Sequence, residues 1–251
     1  MKAELEHRPD GADKMVRNVF SVGNVEVVGL SFPGASPRGA LVFFHGGGFL
    51  EDLGDRDLGL CSSLVLQTGL PAYLVCYRHC PDHTYPLATM DGLSVWKHLL
   101  WKGKVSPEES VFVGEGTGGT LALSVALWAR DHGIPLPSCI VLDHPWTGRI
   151  GGVAEGISTG LVADFGIGDV FSGYFSSADA DDPAAFPILA DYFLFPPVAV
   201  AFGEDDSEGQ GGSLLLKLKD EGVPSSRIRS LAEGMEDASA FIRSCLGAKA
   251  I

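Results

Sequence analysis

The stretch GEGTGG, Gly114 to Gly119, joins the apolar run VFV (residues 111–113) to TLALSVALWA (residues 120–129), a run of small and helix-favouring residues. A strand that turns sharply into a helix through Gly-x-Ser-x-Gly is a nucleophile elbow, in which a strained turn presents a serine hydroxyl above the sheet. The serine position here is Gly116, which has no side chain to present. The glycine spacing predicts the turn, and the missing hydroxyl puts its chemistry in question.

Outward from this turn, short apolar runs alternate with longer segments of helical period. NVEVVGLSF (24–32), ALVFFHG (40–46), AYLVCY (72–77), SVFVGEG (110–116), CIVLDHPW (139–146) and PVAVAFGED (197–205) read as strands, most of them buried on both faces. DLGLCSSLVLQTG, PLATMDGLSVWKHLLWKG, GGTLALSVALWARDHG and GGSLLLKLKDEG read as helices closed by glycine. This alternation predicts an α/β fold: a mostly parallel central sheet with helices on both faces and ligands bound at the carboxyl ends of the strands. The Gly-, Ser- and Asp-rich segment from Gly148 to Phe186 interrupts the pattern and is too long for an ordinary connection, so it is expected to form a lid or cap. Its Leu161, Val162, Phe165, Phe171, Tyr174 and Phe175 supply apolar surface to cover a pocket. One domain over residues 1–251 is expected, with residues 1–22 as a short N-terminal cap segment.

Composition excludes several classes of partner. The chain has 251 residues, 45% hydrophobic and 20% charged, and a formal net charge of -14, a balance that repels nucleic-acid phosphates and anionic membranes. No apolar run reaches the length of a membrane span, and the N-terminus lacks the apolar stretch of a signal peptide, so a cytoplasmic protein is expected. Five scattered cysteines read as buried free thiols, and the Cys76-His79-Cys80 grouping fits no zinc spacing; no metal or cofactor is expected.

Two further segments carry chemistry. His45-Gly46-Gly47-Gly48-Phe49 follows an early strand, where consecutive glycines let backbone amides form an anion-stabilising nest. CYRHCPDHTYPLATMD (residues 76–91) places Tyr77, Arg78, Pro81, Asp82, His83, Pro86 and Asp91 in a polar loop that feeds a helix. From HGGGF through this segment to GEGTGG, LDHPWTG and the C-terminal GMEDASAF, the chain resembles the hormone-sensitive-lipase-like carboxylesterases of the α/β-hydrolase fold. The resemblance runs from about residue 25 onward.

That resemblance implies an oxyanion hole from the amides of Gly47, Gly48 and Thr117, with His45 and Tyr77 beside it. It implies an acid at Asp205, or at Asp206 if the loop is shifted by one. It also places Gly116 under the family's nucleophile and Asp237, in GMED, under the family's histidine. The seven histidines end at His144, so none follows the acid in the chain order that such hydrolases use. A serine hydroxyl is a weak nucleophile without a base, and loss of either member costs on the order of a million-fold in rate. Acyl-enzyme catalysis is therefore not expected.

The substitutions also have plain readings: glycine relaxes the strained elbow, and an acid suits a helix start such as MEDASAF. The functional reading gathers Glu115, Asp205 and Asp237 around the vacated position. Carboxylates crowded in a partly dry pocket raise one another's pKa, and Asp237 would then act as a base toward a small molecule with a carbonyl or ester group. Non-hydrolytic proton transfer leads this reading, followed by a hormone-receptor-like binding role, a scaffold role and a residual esterase. The segment Arg227 to Leu231 is a candidate edge strand for a homodimer.

Overall fold

In the computed structural model the described residues are 14–36, 38–148, 173–203 and 210–247. Most of the lid segment (149–172), Asp205 and Asp206 lie outside them.

The chain begins with β1 (Val16–Val22) and β2 (Val25–Ser31), a hairpin in which Val22 pairs with Val25 and the turn between them is opened by Gly23 at φ 61°. The expected cap segment 1–22 is thus corrected over residues 16–22, which form an edge strand; the alternation of VRNVFSV and the Gly-Asn turn favour a hairpin. Residues 1–13 are outside the described set.

The rest of the sheet alternates as expected: β3 (Ala40–Phe44), α1 (Asp55–Thr68), β4 (Ala72–Cys76), α2 (Leu87–Trp101), β5 (Ser110–Glu115), α3 (Thr117–Asp131), β6 (Cys139–Asp143), β7 (Val198–Ala201), α4 (Gln210–Asp220), β8 (Ser225–Ile228) and α5 (Leu231–Leu246). The eight strands lie in the order β1-β2-β4-β3-β5-β6-β7-β8, antiparallel through β2 and β4 and parallel from β4 to β8. Part of the RIRSL stretch forms β8, at one edge of the sheet.

Every residue of β3 is buried, because each face of the strand has its own helical layer. Val42 and Phe44 join a core with Leu93 of α2, Leu121 of α3 and Leu214 of α4, whereas Leu41 and Phe43 join a second core with Leu64 of α1 and Ile242 of α5. The period of two along one strand therefore feeds both layers. β5 and β6 are neighbours in the interior of the sheet, and their carboxyl ends carry the elbow and the Asp143-His144 pair.

The end of the expected lid that is described, residues 173–186, packs onto the body. Tyr174 is 1% exposed, stacks on Phe49 at 3.9 Å, and accepts the Ala88 amide hydrogen at its hydroxyl. Phe175 meets Phe49 edge-on at 5.4 Å. The aromatic end of this segment is thereby seated on the residue that follows the glycine loop.

Candidate active site

Gly116 keeps the elbow conformation, with φ 53° and ψ -119°, a backbone region that L side chains rarely adopt. A Cβ built there would come no closer than 3.9 Å to any neighbour, the Cα of Gly46. The space a nucleophile would enter is open. Gly118 is a different case, because a Cβ there would lie 2.0 Å from the Phe44 carbonyl oxygen and 2.3 Å from that of His45. One glycine of the motif serves a strained turn, and the other lets α3 approach the end of β3.

The glycine loop is held from below. His45 and Tyr77, expected to line the site, are 1% and 2% exposed, with their rings stacked at 4.2 Å. The Tyr77 hydroxyl donates to the carbonyl oxygens of His45 and Gly46 at 2.8 and 3.1 Å, and His45 Nδ1 lies 2.9 Å from the Gly46 oxygen. Burial lowers the His45 pKa, which keeps the ring neutral against the tyrosine. These contacts turn the loop's carbonyls inward and correct the expected role of both residues from ligand contact to loop support.

The expected oxyanion hole is already partly occupied. The Gly48 amide donates to Thr117 Oγ1 at 3.1 Å, and this contact is buried. The Thr117 side chain takes up one of the three amides that the resemblance assigns to an oxyanion. Gly47, at φ 91°, has its carbonyl bonded to the amides of Leu50 and Glu51, which fixes the turn that follows.

Glu115 stands beside the elbow at the end of β5. Its carboxylate forms an ion pair with Arg56 Nη2 at 3.0 Å and lies against Gly46, where an added Cβ would meet Oε2 at 2.7 Å. Burial lifts its pKa above the ordinary glutamate value; Arg56 opposes the lift, and the charges of Asp57 and Asp143 add to it. The expectation of carboxylates raising one another is met here in direction alone, because burial is the first cause and the charges that add to it are those of Asp57 and Asp143.

It fails at Asp237. That residue lies on α5 and accepts from Arg229 Nε at 2.8 Å, with 39% of its side chain exposed. The guanidinium bond lowers its pKa. The correction has a physical cause: a base near neutrality needs a carboxylate deprived of water and cations, and Asp237 has both. α5 begins at Leu231, so GMED is helical, with a kink where Gly234 takes φ -134° and ψ 37°.

Sequence reasoning passed over the residues that do adjoin the elbow. Both polar backbone groups of Gly116 bond to the turn after β6: its amide donates to the Asp143 carbonyl at 2.9 Å, and its carbonyl accepts from the Trp146 amide at 3.1 Å. His144 lies between those anchors at φ 46°, and its Nδ1 donates to Asp143 Oδ1 at 2.9 Å. The same oxygen accepts the Leu231 amide at 3.2 Å, the first residue of α5. The Asp143 side chain is 4% exposed and that of His144 52%. LDHPW at a strand's carboxyl end was the available signal, but a rule based on chain order discards a histidine that precedes the acid.

Comparison with known proteins agrees with the fold. A sequence profile for the alpha/beta hydrolase fold matches residues 41–232. The carboxylic ester hydrolase LipN of Mycobacterium tuberculosis is 29% identical over 236 residues, covering 80% of this chain and 61% of LipN. The gibberellin receptor GID1B of Arabidopsis thaliana is 34% identical over 118 residues, 43% of this chain and 32% of the receptor. The chain therefore spans less than two thirds of the length of these relatives. A crystal structure of an esterase/lipase from an uncultured bacterium superposes with a TM-score of 0.83 at 26% identity, over 94% of this chain and 87% of that one.

Proposed function

The chain belongs to the α/β-hydrolase fold family, and from that membership we propose that its esterase-derived cleft binds a small carbonyl-containing molecule and acts on it by proton transfer without an acyl-enzyme. The observation that carries this reading is Gly116: the elbow backbone is kept in its strained form, open to 3.9 Å, with no hydroxyl to attack. This reading assigns the Gly47 and Thr117 amides to a developing oxyanion and is supported by the raised pKa of the Glu115 carboxyl beside the elbow. A carboxyl so shifted holds or gives up a proton nearer neutrality than an ordinary glutamate. Isomerisation, elimination and ring closure are the reaction types such a site serves.

A second reading rests on the bond from the Gly48 amide to Thr117 Oγ1. A site whose amide is already satisfied suits a binding protein, the role that the name of the gibberellin receptor gives to that relative. Two measurements test the readings. Short-chain p-nitrophenyl esters are expected to turn over at the background rate, and turnover abolished by Glu115→Gln would overturn the non-hydrolytic reading. A panel of small ketones is expected to raise the melting temperature, and a flat response across the panel would remove the ligand cleft itself.

A further inference from the structure

We propose that Cys139 and Cys245 form an oxidation-responsive thiol pair, in which Cys245 reacts with a peroxide and Cys139 closes a disulfide that joins β6 to α5. The inference goes beyond the carbonyl-binding reading above and does not depend on it.

Placement is the first argument. The period of two along β6 sends Ile140 and Leu142 into one core and Cys139 and Val141 into the other, which includes Ile242 of α5. Ala238, Ile242 and Cys245 share one face of that helix, and all three pack in the second core. The strand face and the helix face that carry the two cysteines therefore meet. The Ser138 hydroxyl donates to the Cys245 carbonyl at 3.3 Å, which fastens the amino end of β6 to the last turn of α5. The two thiols are themselves hydrogen-bonded. A disulfide needs side chains that converge, and these converge while both thiols are free.

Reactivity is the second. Cys139 is fully buried, and its thiol is pushed up by the bond to Cys245 and by burial, so it keeps its proton. The hydrogen it donates lowers the Cys245 thiol to about 7. The thiolate is the form that reacts, and Cys245 is only partly buried, so a small oxidant can reach it. Burial pushes the Cys61, Cys76 and Cys80 thiols up, that of Cys76 to about 11. Oxidation is thereby directed to Cys245.

The chemistry balances with a peroxide as the oxidant. The Cys245 thiolate attacks one peroxide oxygen: an S–O bond forms, the O–O bond breaks, and hydroxide leaves to be protonated by solvent, so that Cys245 becomes a sulfenic acid. The Cys139 sulfur then attacks the Cys245 sulfur. The S–S bond forms, the S–O bond breaks, and the departing hydroxide takes the Cys139 proton as water. Two electrons pass from the sulfurs to the peroxide oxygens, and exchange with an external thiol reopens the bridge. The closed bridge fastens α5 to β6 at the end opposite the Leu231–Asp143 bond.

The test treats the full chain, reduced and then freed of reductant, with hydrogen peroxide at neutral pH. Peptide mass spectrometry without reduction is expected to recover the Cys139 and Cys245 peptides joined, from protein that stays monomeric on a non-reducing gel, and dithiothreitol is expected to separate them. Cys139→Ser keeps a hydrogen donor but has no sulfur to condense; with dimedone as the trap, it is expected to raise sulfenic acid at Cys245 several-fold over the wild type. Cys245→Ser is expected to lose the bridge and to leave Cys139 unlabelled. A bridge between other cysteines, dimedone on Cys76 ahead of Cys245, or wild-type Cys245 driven to sulfinic acid with no bridge overturns the proposal. Equal trapping in the wild type and Cys139→Ser overturns it too, and if the serine variant does not fold, the wild-type peptide map still decides.

Discussion

Replacing Gly116 by alanine isolates what the elbow costs. The backbone at φ 53° and ψ -119° is nearly closed to a residue with a Cβ, but the Cβ itself has room, its nearest neighbour being 3.9 Å away. The penalty is therefore conformational strain alone, on the order of 1–3 kcal/mol. For a domain of this size each kcal/mol lowers the melting temperature by roughly 2–4 °C, so a fall of roughly 2–12 °C is expected in thermal denaturation followed by circular dichroism. Gly116→Ser is expected to match Gly116→Ala within about 0.5 kcal/mol, the ordinary scatter of a substitution that meets no neighbour. Gly118→Ala provides the contrast: its Cβ would lie 2.0 and 2.3 Å from two backbone oxygens, and a loss above about 4 kcal/mol or failure to fold is expected. An alanine at 116 that leaves the melting temperature unchanged would refute the strain argument. A serine far worse than alanine would refute the claim of open space.

Glu115→Gln is expected to remove a pH dependence. A buried acid with a raised pKa binds its proton more tightly in the folded state, so wild-type stability falls as pH rises from the ordinary glutamate range through the folded value; urea melts across that window should show the wild type losing ground against the glutamine variant, and parallel curves would reject the shift. Thr117→Val is expected to leave the Gly48 amide without its acceptor, costing about 1–3 kcal/mol in the unliganded protein and enlarging the melting shift caused by a bound ketone; an equal shift in both proteins would mean that the amide does not meet the ligand. The Cys245 thiol, lowered to about 7 by its bond with Cys139, is expected to react first with iodoacetamide among the five cysteines, with a rate rising through neutral pH. Cys139→Ala should slow that reaction, and preferential labelling of Cys76 would contradict the ordering.

The fold was readable because its signals are local and repeated. β3 is apolar at five consecutive residues and bounded by glycines, and among the described residues the strand signal missed is the hairpin turn at Gly23-Asn24, since VRNVFSV carries charge and its strand is largely exposed at the sheet edge. The site was readable in part. Gly116 and the glycine loop follow from spacing, because backbone conformation is what those glycines encode. The roles of His45 and Tyr77 did not follow, because a residue beside a loop can face it from either side. The surroundings of Asp237 did not follow either, because no motif shows that a cation, Arg229, engages it.

On the proposed reading, in which Gly116 and Asp237 stand at hydrolase positions, the replacements share a direction. Glycine at 116 relieves a strain that serine would carry, the Thr117 hydroxyl satisfies an amide that an empty hole would leave waiting, and Asp237 gains a guanidinium partner. On that reading each change favours the resting fold over catalysis, which is what relaxed selection for hydrolysis would produce.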